Sequence, residues 1–147
     1  MSVYRFKKAA VLGAGVMGAQ IAAHLANAGV PVVLFDLPAE GNDKNAIVNK
    51  ALANLGKLSP APLASKSLAG SIQAGNYDEH LPLLSDCDVI IEAIAERLDW
   101  KKSLYAKILP FVGPKAILAS NTSGLWINAL SEVLDESRAR MLRHVYL

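Results

Sequence analysis

The segment Gly13-Ala14-Gly15-Val16-Met17-Gly18 constrains this chain more than any other part of it. It has the spacing G-x-G-x-x-G. A short apolar run, 9–12, precedes it, and a helix-like run, 15–28, follows with Met17, Ile21 and Leu25 recurring on one face. Gly29 ends that run and Pro31 forbids its continuation. A second apolar run occupies 32–35. Strand, glycine turn, helix, strand is the context that turns this pattern from a mere turn into a dinucleotide-binding signal. Gly13 permits the tight turn, Gly15 lets the backbone approach a pyrophosphate, and Gly18 lets helix and strand pack closely. The pyrophosphate then meets unpaired N–H groups at the positive end of the helix.

Asp36 closes the second apolar run, 21 residues after Gly15. An acid near that separation accepts hydrogen bonds from the adenosine ribose hydroxyls and repels an added phosphate. NAD is therefore favoured over NADP.

The rest of the chain keeps alternating. Residues 43–58 read as a helix with Ile47, Ala51 and Leu55 inward and Lys44, Lys50 and Lys57 on its other positions. Prolines and glycines break 59–85 into short pieces, with a turn of helix and a short strand near 71–74 expected. Strands are then expected at 89–93, 116–120 and 140–147, and helices at 98–111 and 125–134. The pattern predicts an α/β fold, a Rossmann-type doubly wound and mostly parallel sheet of about six strands with helices on both faces. Residues 1–147 form one such domain.

Composition excludes several classes. At 52% hydrophobic the chain can bury a core and is too apolar for disorder. A net charge of +2 gives no reason to expect a nucleic-acid or membrane-surface partner. Lys7-Lys8 before the apolar stretch 9–30 imitates a signal peptide or anchor. That stretch carries Gln20, His24, Asn27 and four glycines, which suit a lipid-facing helix poorly. Cys87 is the one cysteine, so no intrachain disulfide is expected, and the cytoplasm is the simplest location. His24 reads as packing and His80 as solvated, and neither has the partners of a metal site. Trp100 and Trp126 suit a core or a cleft equally.

Two later segments follow apolar strands on the cofactor edge of such a sheet. They are Ile91-Glu92-Ala93-Ile94-Ala95-Glu96-Arg97-Leu98-Asp99-Trp100-Lys101 and Ser120-Asn121-Thr122-Ser123-Gly124-Leu125. Polar residues there commonly line the nicotinamide end. Residue types alone carry the reading no further.

Together with the glycine loop, these segments resemble the NAD-binding domain of L-3-hydroxyacyl-CoA dehydrogenases, over about 8–142. Leu58-Ser59-Pro60-Ala61-Pro62-Leu63 is similar to an extra proline-bearing segment of the bacterial form. The resemblance implies an NAD cofactor held by Gly13, Gly15, Met17, Gly18 and Asp36, with Glu96 and Lys101 contacting the nicotinamide-side ribose. It implies that Ser123 hydrogen-bonds the substrate's 3-hydroxyl or 3-keto oxygen and that Asn121 shapes that loop. The plainer alternatives are an exposed Glu96–Lys101 ion pair and a helix N-cap at Ser123. The implied reaction oxidises an L-3-hydroxyacyl-CoA to the 3-ketoacyl-CoA, with hydride passing to NAD, in a homodimeric parent. The lysines of the second helix would then meet a CoA phosphate, or simply be solvated.

The family's base is a histidine in a G-x-H-F-F-N-P segment. His144 lies 21 residues after Ser123, near the family spacing, yet its setting is Arg143-His144-Val145-Tyr146. A histidine suits that role because its pKa lies near working pH. The glutamate that orients it, and the helical C-terminal substrate and dimerisation domain, are expected outside this chain. An unoriented base without a closed cleft is a poor catalyst, so NAD binding with slow turnover is expected. Two other readings stay open: a related hydroxyacid or sugar-acid dehydrogenase, and a non-catalytic NAD-binding module.

Overall fold

The computed structural model describes residues 5–122 and 124–144, with side chains given for all of these but 124–126 and 144. Six strands form one sheet: β1 (Ala9–Leu12), β2 (Val32–Asp36), β3 (Ile72–Asn76), β4 (Val89–Glu92), β5 (Ile117–Ser120) and β6 (Leu142–His144). All neighbours are parallel, in the order β3-β2-β1-β4-β5-β6. The helices are α1 (Val16–Asn27), α2 (Ala46–Leu55), α3 (Leu98–Ile108), α4 (Gly124–Ser131) and α5 (Glu136–Ala139). The chain reverses its direction of travel across the sheet between β1 and β4. Such a switch point opens a crevice at the carboxyl ends of the strands, where ligands bind in this architecture.

The sheet is covered on both faces, so its strands are apolar almost throughout. Alternate residues feed two cores. Ala9, Val11, Val32, Leu34, Val89 and Ile91 pack with Ala22, Ala26 and Val48 of α1 and α2. Leu12, Phe35, Ile90 and Leu118 pack with Leu104, Tyr105, Ile108 and Leu130 of α3 and α4.

Several local expectations need correction. Met17 is 46% exposed and does not face the core. The buried face of α1 is Gly18, Ala19, Ile21, Ala22, Ala23 and Ala26, all but Ile21 small residues that let the helix lie close to the sheet. Val48, not Ile47, is the buried residue near the start of α2, and of the three lysines only Lys50 lies inside that helix. The third strand runs on to Asn76 because it pairs with β2 over five residues. Two 3-10 turns, Lys66–Ser71 and Leu81–Asp86, flank it. His24 is exposed. His80 is tied down, its Nδ1 accepting from the Asn76 N–H at 3.0 Å.

The helix expected at 125–134 is α4, which ends at Ser131, and the short α5 follows it at Glu136–Ala139. Asp135 starts the second by accepting from the Arg138 N–H at 2.9 Å. Among the described residues, no helix is long and apolar enough to cross a membrane.

Candidate functional site

The glycine loop leaves β1 and turns into α1 under tight steric control. Gly13 has φ of +108°, in the left-handed region. A Cβ on Gly18 would lie 1.7 Å from the Gly13 carbonyl oxygen, so only glycine allows this approach. Gly15 differs: a Cβ there meets nothing within 4 Å. The space above it is open. Gly15 is also the N-cap of α1, and its first turn carries no acidic residue and no side-chain cap. The N–H groups at this helix start therefore have no side-chain acceptor from the first turn of α1 itself.

Asp36 stands at the end of β2, beside the loop. One carboxylate oxygen accepts from the Ala14 N–H at 2.7 Å and the other from the Leu37 N–H at 2.6 Å. The aspartate thus binds the loop as well as facing the crevice.

A cavity of about 540 Å³ opens between Gly13 and Gly15, Asp36 and Leu37 at the end of β2, and Ala93 to Ala95 beyond β4, with Trp100 and Lys107 of α3 on its far side. That volume lies within the range for small-molecule sites. Tyr77 also lines it. Its ring stacks on Phe35 with centroids 6.0 Å apart, and its buried hydroxyl has no hydrogen-bond partner among the described residues. Burial pushes that phenol above its ordinary range, with Asp36 and then Glu92 adding to the effect, so the hydroxyl stays a donor. The unfilled space over Gly15 and the orphaned Tyr77 hydroxyl both fit a bound dinucleotide.

Beyond β4, a charged cluster lies under the crevice floor. Glu92 and Lys101 are both fully buried. The Lys101 ammonium donates to Glu92 Oε2 at 2.7 Å, and Ser120 Oγ donates to Glu92 Oε1 at 2.7 Å. The Ile94 N–H also donates to Glu92 Oε2, at 2.9 Å. Glu96, its side chain 54% exposed, lies 3.4 Å from the same ammonium and accepts from Thr122 Oγ1 at 3.0 Å. Tyr105 is packed against the cluster, its phenol pushed above its ordinary range by burial and then by Glu92.

The structure thus brings Gly13, Gly15, Gly18 and Asp36 together at one edge, with Glu96 beyond β4 on the same edge. Met17 stands half exposed beside the loop. Lys101 sits beneath the edge, not on it, which differs from an exposed ion pair. Asn121 is half-buried, and its N–H donates to the Glu92 carbonyl at 2.9 Å. Ser123 lies outside the described residues. His144 lies at the end of β6, in register with Ser120 across β5; its side chain is outside those described. Arg97 stacks its guanidinium over Trp100 at 4.2 Å, on the exposed side of α3. Cys87 is buried and its thiol is pushed up to about 11 by that burial, so it is no nucleophile at neutral pH.

Glu92, Ser120 and Tyr77 were not singled out as site residues from sequence. Glu92 had a readable signal: an acid ending a fully apolar strand, with a lysine nine residues on, cannot be buried alone.

The order of the sheet, the glycine loop and the crevice define a dinucleotide-binding Rossmann domain. The chain belongs to the 3-hydroxyacyl-CoA dehydrogenase family: the family model for "3-hydroxyacyl-CoA dehydrogenase, NAD binding domain" matches residues 8–146. The chain is 43% identical over 122 residues to a Deinococcus radiodurans protein named "Probable 3-hydroxyacyl-CoA dehydrogenase", covering 82% of this chain and 35% of that protein. It is 32% identical over 136 residues to a fatty acid oxidation complex subunit alpha of Psychrobacter arcticus, covering 90% of this chain and 18% of that one. Among solved structures, (S)-3-hydroxybutyryl-CoA dehydrogenase from Ralstonia eutropha superposes with a TM-score of 0.74 at 27% identity, over 97% of this chain and 50% of that chain. The chain therefore spans half or less of the length of these relatives.

Proposed function

We propose that the protein carrying this domain oxidises L-3-hydroxyacyl-CoA to 3-ketoacyl-CoA, with NAD as hydride acceptor. The observation that carries this is the alignment of strand ends: Glu92, Ser120 and His144 share one register across β4, β5 and β6 at the crevice edge. When bound, the cofactor supplies a nicotinamide that takes the hydride from carbon 3. Gly13 makes the turn and Gly15 leaves room for the pyrophosphate, and Asp36 and Glu96 accept hydrogen bonds from ribose hydroxyls. Ser123 hydrogen-bonds the substrate's 3-oxygen, and His144 takes the hydroxyl proton. Lys44, Lys50 and Lys57, all exposed, are the lysines that would meet a CoA phosphate. Names of the relatives, a 3-hydroxybutyryl-CoA dehydrogenase and fatty acid oxidation complex subunits among them, support an acyl-CoA substrate.

NADH formation by the protein carrying this domain tests the reading. L-3-hydroxybutyryl-CoA should be oxidised in preference to free hydroxy or sugar acids, and His144→Gln should lower kcat by about 100-fold or more. A preference for the free acids would overturn it.

Cofactor choice is a separate measurement. Asp36→Ala should weaken NAD binding by about 10- to 100-fold, the worth of a hydrogen bond to a charged group, and NADP binding far less. Equal losses for the two cofactors in a calorimetric titration would show that Asp36 only braces the Ala14 N–H.

A further inference from the structure

We infer that the Tyr77 hydroxyl is a base-reading donor. It hydrogen-bonds a ring nitrogen of the cofactor's adenine, and so selects a base that carries an acceptor there. The inference rests on the NAD-binding reading above and adds a contact at the end of the site away from the nicotinamide.

Strand order places the residue. In that reading the pyrophosphate lies over the glycine loop at the end of β1, and Asp36 takes the adenosine ribose at the end of β2. The next strand outward is β3, whose last residue, Asn76, is in register with Asp36. Tyr77 follows at once, and its N–H donates to the Asp36 carbonyl at 3.3 Å. Beyond the ribose comes the base, at the strand end that Tyr77 leaves. The cavity is lined there by Leu37, Ala93, Ile94, Ala95 and Leu104, apolar residues that suit a flat heteroaromatic ring.

Hydrogen-bond accounting singles out Tyr77 among the polar side chains of this cavity. Both carboxylate oxygens of Asp36 accept from backbone N–H groups, those of Ala14 and Leu37. Ser103 and Lys107 are exposed, and Lys107 lies 3.7 Å from Asp78 Oδ1. Tyr77 is 4% exposed, and its hydroxyl has no partner among the described residues. Buried polar groups are nearly always paired, so an unpaired one in a cavity wall points to what the cavity holds.

The ring is fixed before a ligand arrives. It lies parallel to the fully buried Phe35, and Asn76 pins the turn that carries it. The Asn76 side chain accepts from the Asp78 and Glu79 N–H groups and donates to Asn45 Oδ1. Burial keeps the phenol protonated, so it offers one donor to an acceptor such as a purine ring nitrogen. A group already held in place loses little freedom on binding.

Deaza analogues on the unmodified chain test the contact atom by atom. ADP and its 1-deaza, 3-deaza and 7-deaza forms differ by one ring nitrogen replaced with C–H. One of these analogues should bind about fivefold more weakly than ADP, the worth of a neutral hydrogen bond, with the others within about twofold. Tyr77→Phe should weaken ADP by the same fivefold or so and leave the weak analogue within about twofold of its wild-type affinity. Equal loss for ADP and every analogue in Tyr77→Phe would mean that the hydroxyl acts through Asp36 or the fold. Unchanged ADP binding would mean that a trapped water satisfies it. Either result overturns the inference, and the NAD reading stands as long as wild type binds ADP and NADH.

Stability supplies an independent sign. Unliganded Tyr77→Phe should unfold at the same or a higher urea concentration than wild type, because it removes a buried donor that has no partner. A lower midpoint would mean that the hydroxyl is already paired in the free domain, and would overturn the inference. A wild-type chain that binds neither NADH nor ADP would remove the NAD reading, and the inference with it.

Discussion

Gly18→Ala should destabilise the domain by about 3 kcal/mol or more, among the larger effects a single added methyl group can have. The new Cβ would sit 1.7 Å from the Gly13 carbonyl oxygen, with the Gly13 carbonyl carbon at 2.8 Å. Both close atoms belong to the Gly13 backbone, so no flexible side-chain end is there to give way. Either α1 lifts from β1, opening the all-alanine packing of Ala19, Ala22 and Ala26, or the loop moves. Loop movement is itself blocked, because a Cβ-free Gly13 already lies against the Ala93 carbonyl. The gain in helix propensity from Gly to Ala, about 1 kcal/mol, offsets only part of this. Gly15→Ala is the control. Gly15 has φ of −72°, and an added Cβ meets nothing within 4 Å. Its stability should stay within about 0.5 kcal/mol of wild type, as for other unconstrained sites. Its NADH affinity should fall by about tenfold or more, because the methyl group enters the space a pyrophosphate needs. Urea unfolding followed by circular dichroism, paired with NADH fluorescence titration, separates the two variants. Gly15→Ala as the less stable of the pair would refute this account of the loop.

The contrast between these glycines shows what sequence could and could not convey. The G-x-G-x-x-G spacing announces the loop, since only glycine satisfies all its backbone demands. The strand-helix alternation announces the sheet, since each buried strand is a dense apolar run. Asp36 was legible for the same reason: its place follows from the end of such a run. Helix faces were less legible. Of the stripe Met17, Ile21 and Leu25, Ile21 is buried and Leu25 packs against the core, but Met17 is exposed and alanines fill the rest of the inward face, because close approach to the sheet rewards small residues. Asn76, not composition, ends β3, its side-chain oxygen accepting from the Asp78 and Glu79 N–H groups. The Glu96–Lys101 pairing was legible as a pair but not as a depth. Burial depends on Glu92 and Ser120 meeting across β4 and β5, a register that spacing along the chain does not reveal.

The same depth makes the second large prediction. Lys101→Met alone should cost about 3–5 kcal/mol, because it leaves a fully buried Glu92 carboxylate with only Ser120 and the Ile94 N–H to support it. Glu92→Gln alone should cost a similar amount, leaving a buried ammonium whose remaining anionic partner is Glu96. Against a total stability of about 5–15 kcal/mol for a domain, either variant approaches the limit of folding. Joining the two changes should recover most of the loss, because neutral groups of similar shape replace a charged pair without leaving an uncompensated charge. Denaturant unfolding of the four proteins should therefore give a coupling of at least about 4 kcal/mol, since the single losses of about 3–5 kcal/mol each would otherwise sum, whereas independent sites add to within about 0.5 kcal/mol. Additive losses would mean that solvent already reaches the pair. If the coupling is as large as expected, stability alone does not account for the ions, since the neutral pair would serve a core as well. What the charged pair adds is geometry: an ammonium fixed under Glu96 and a carboxylate fixed against Ser120, both at the edge where the cofactor lies.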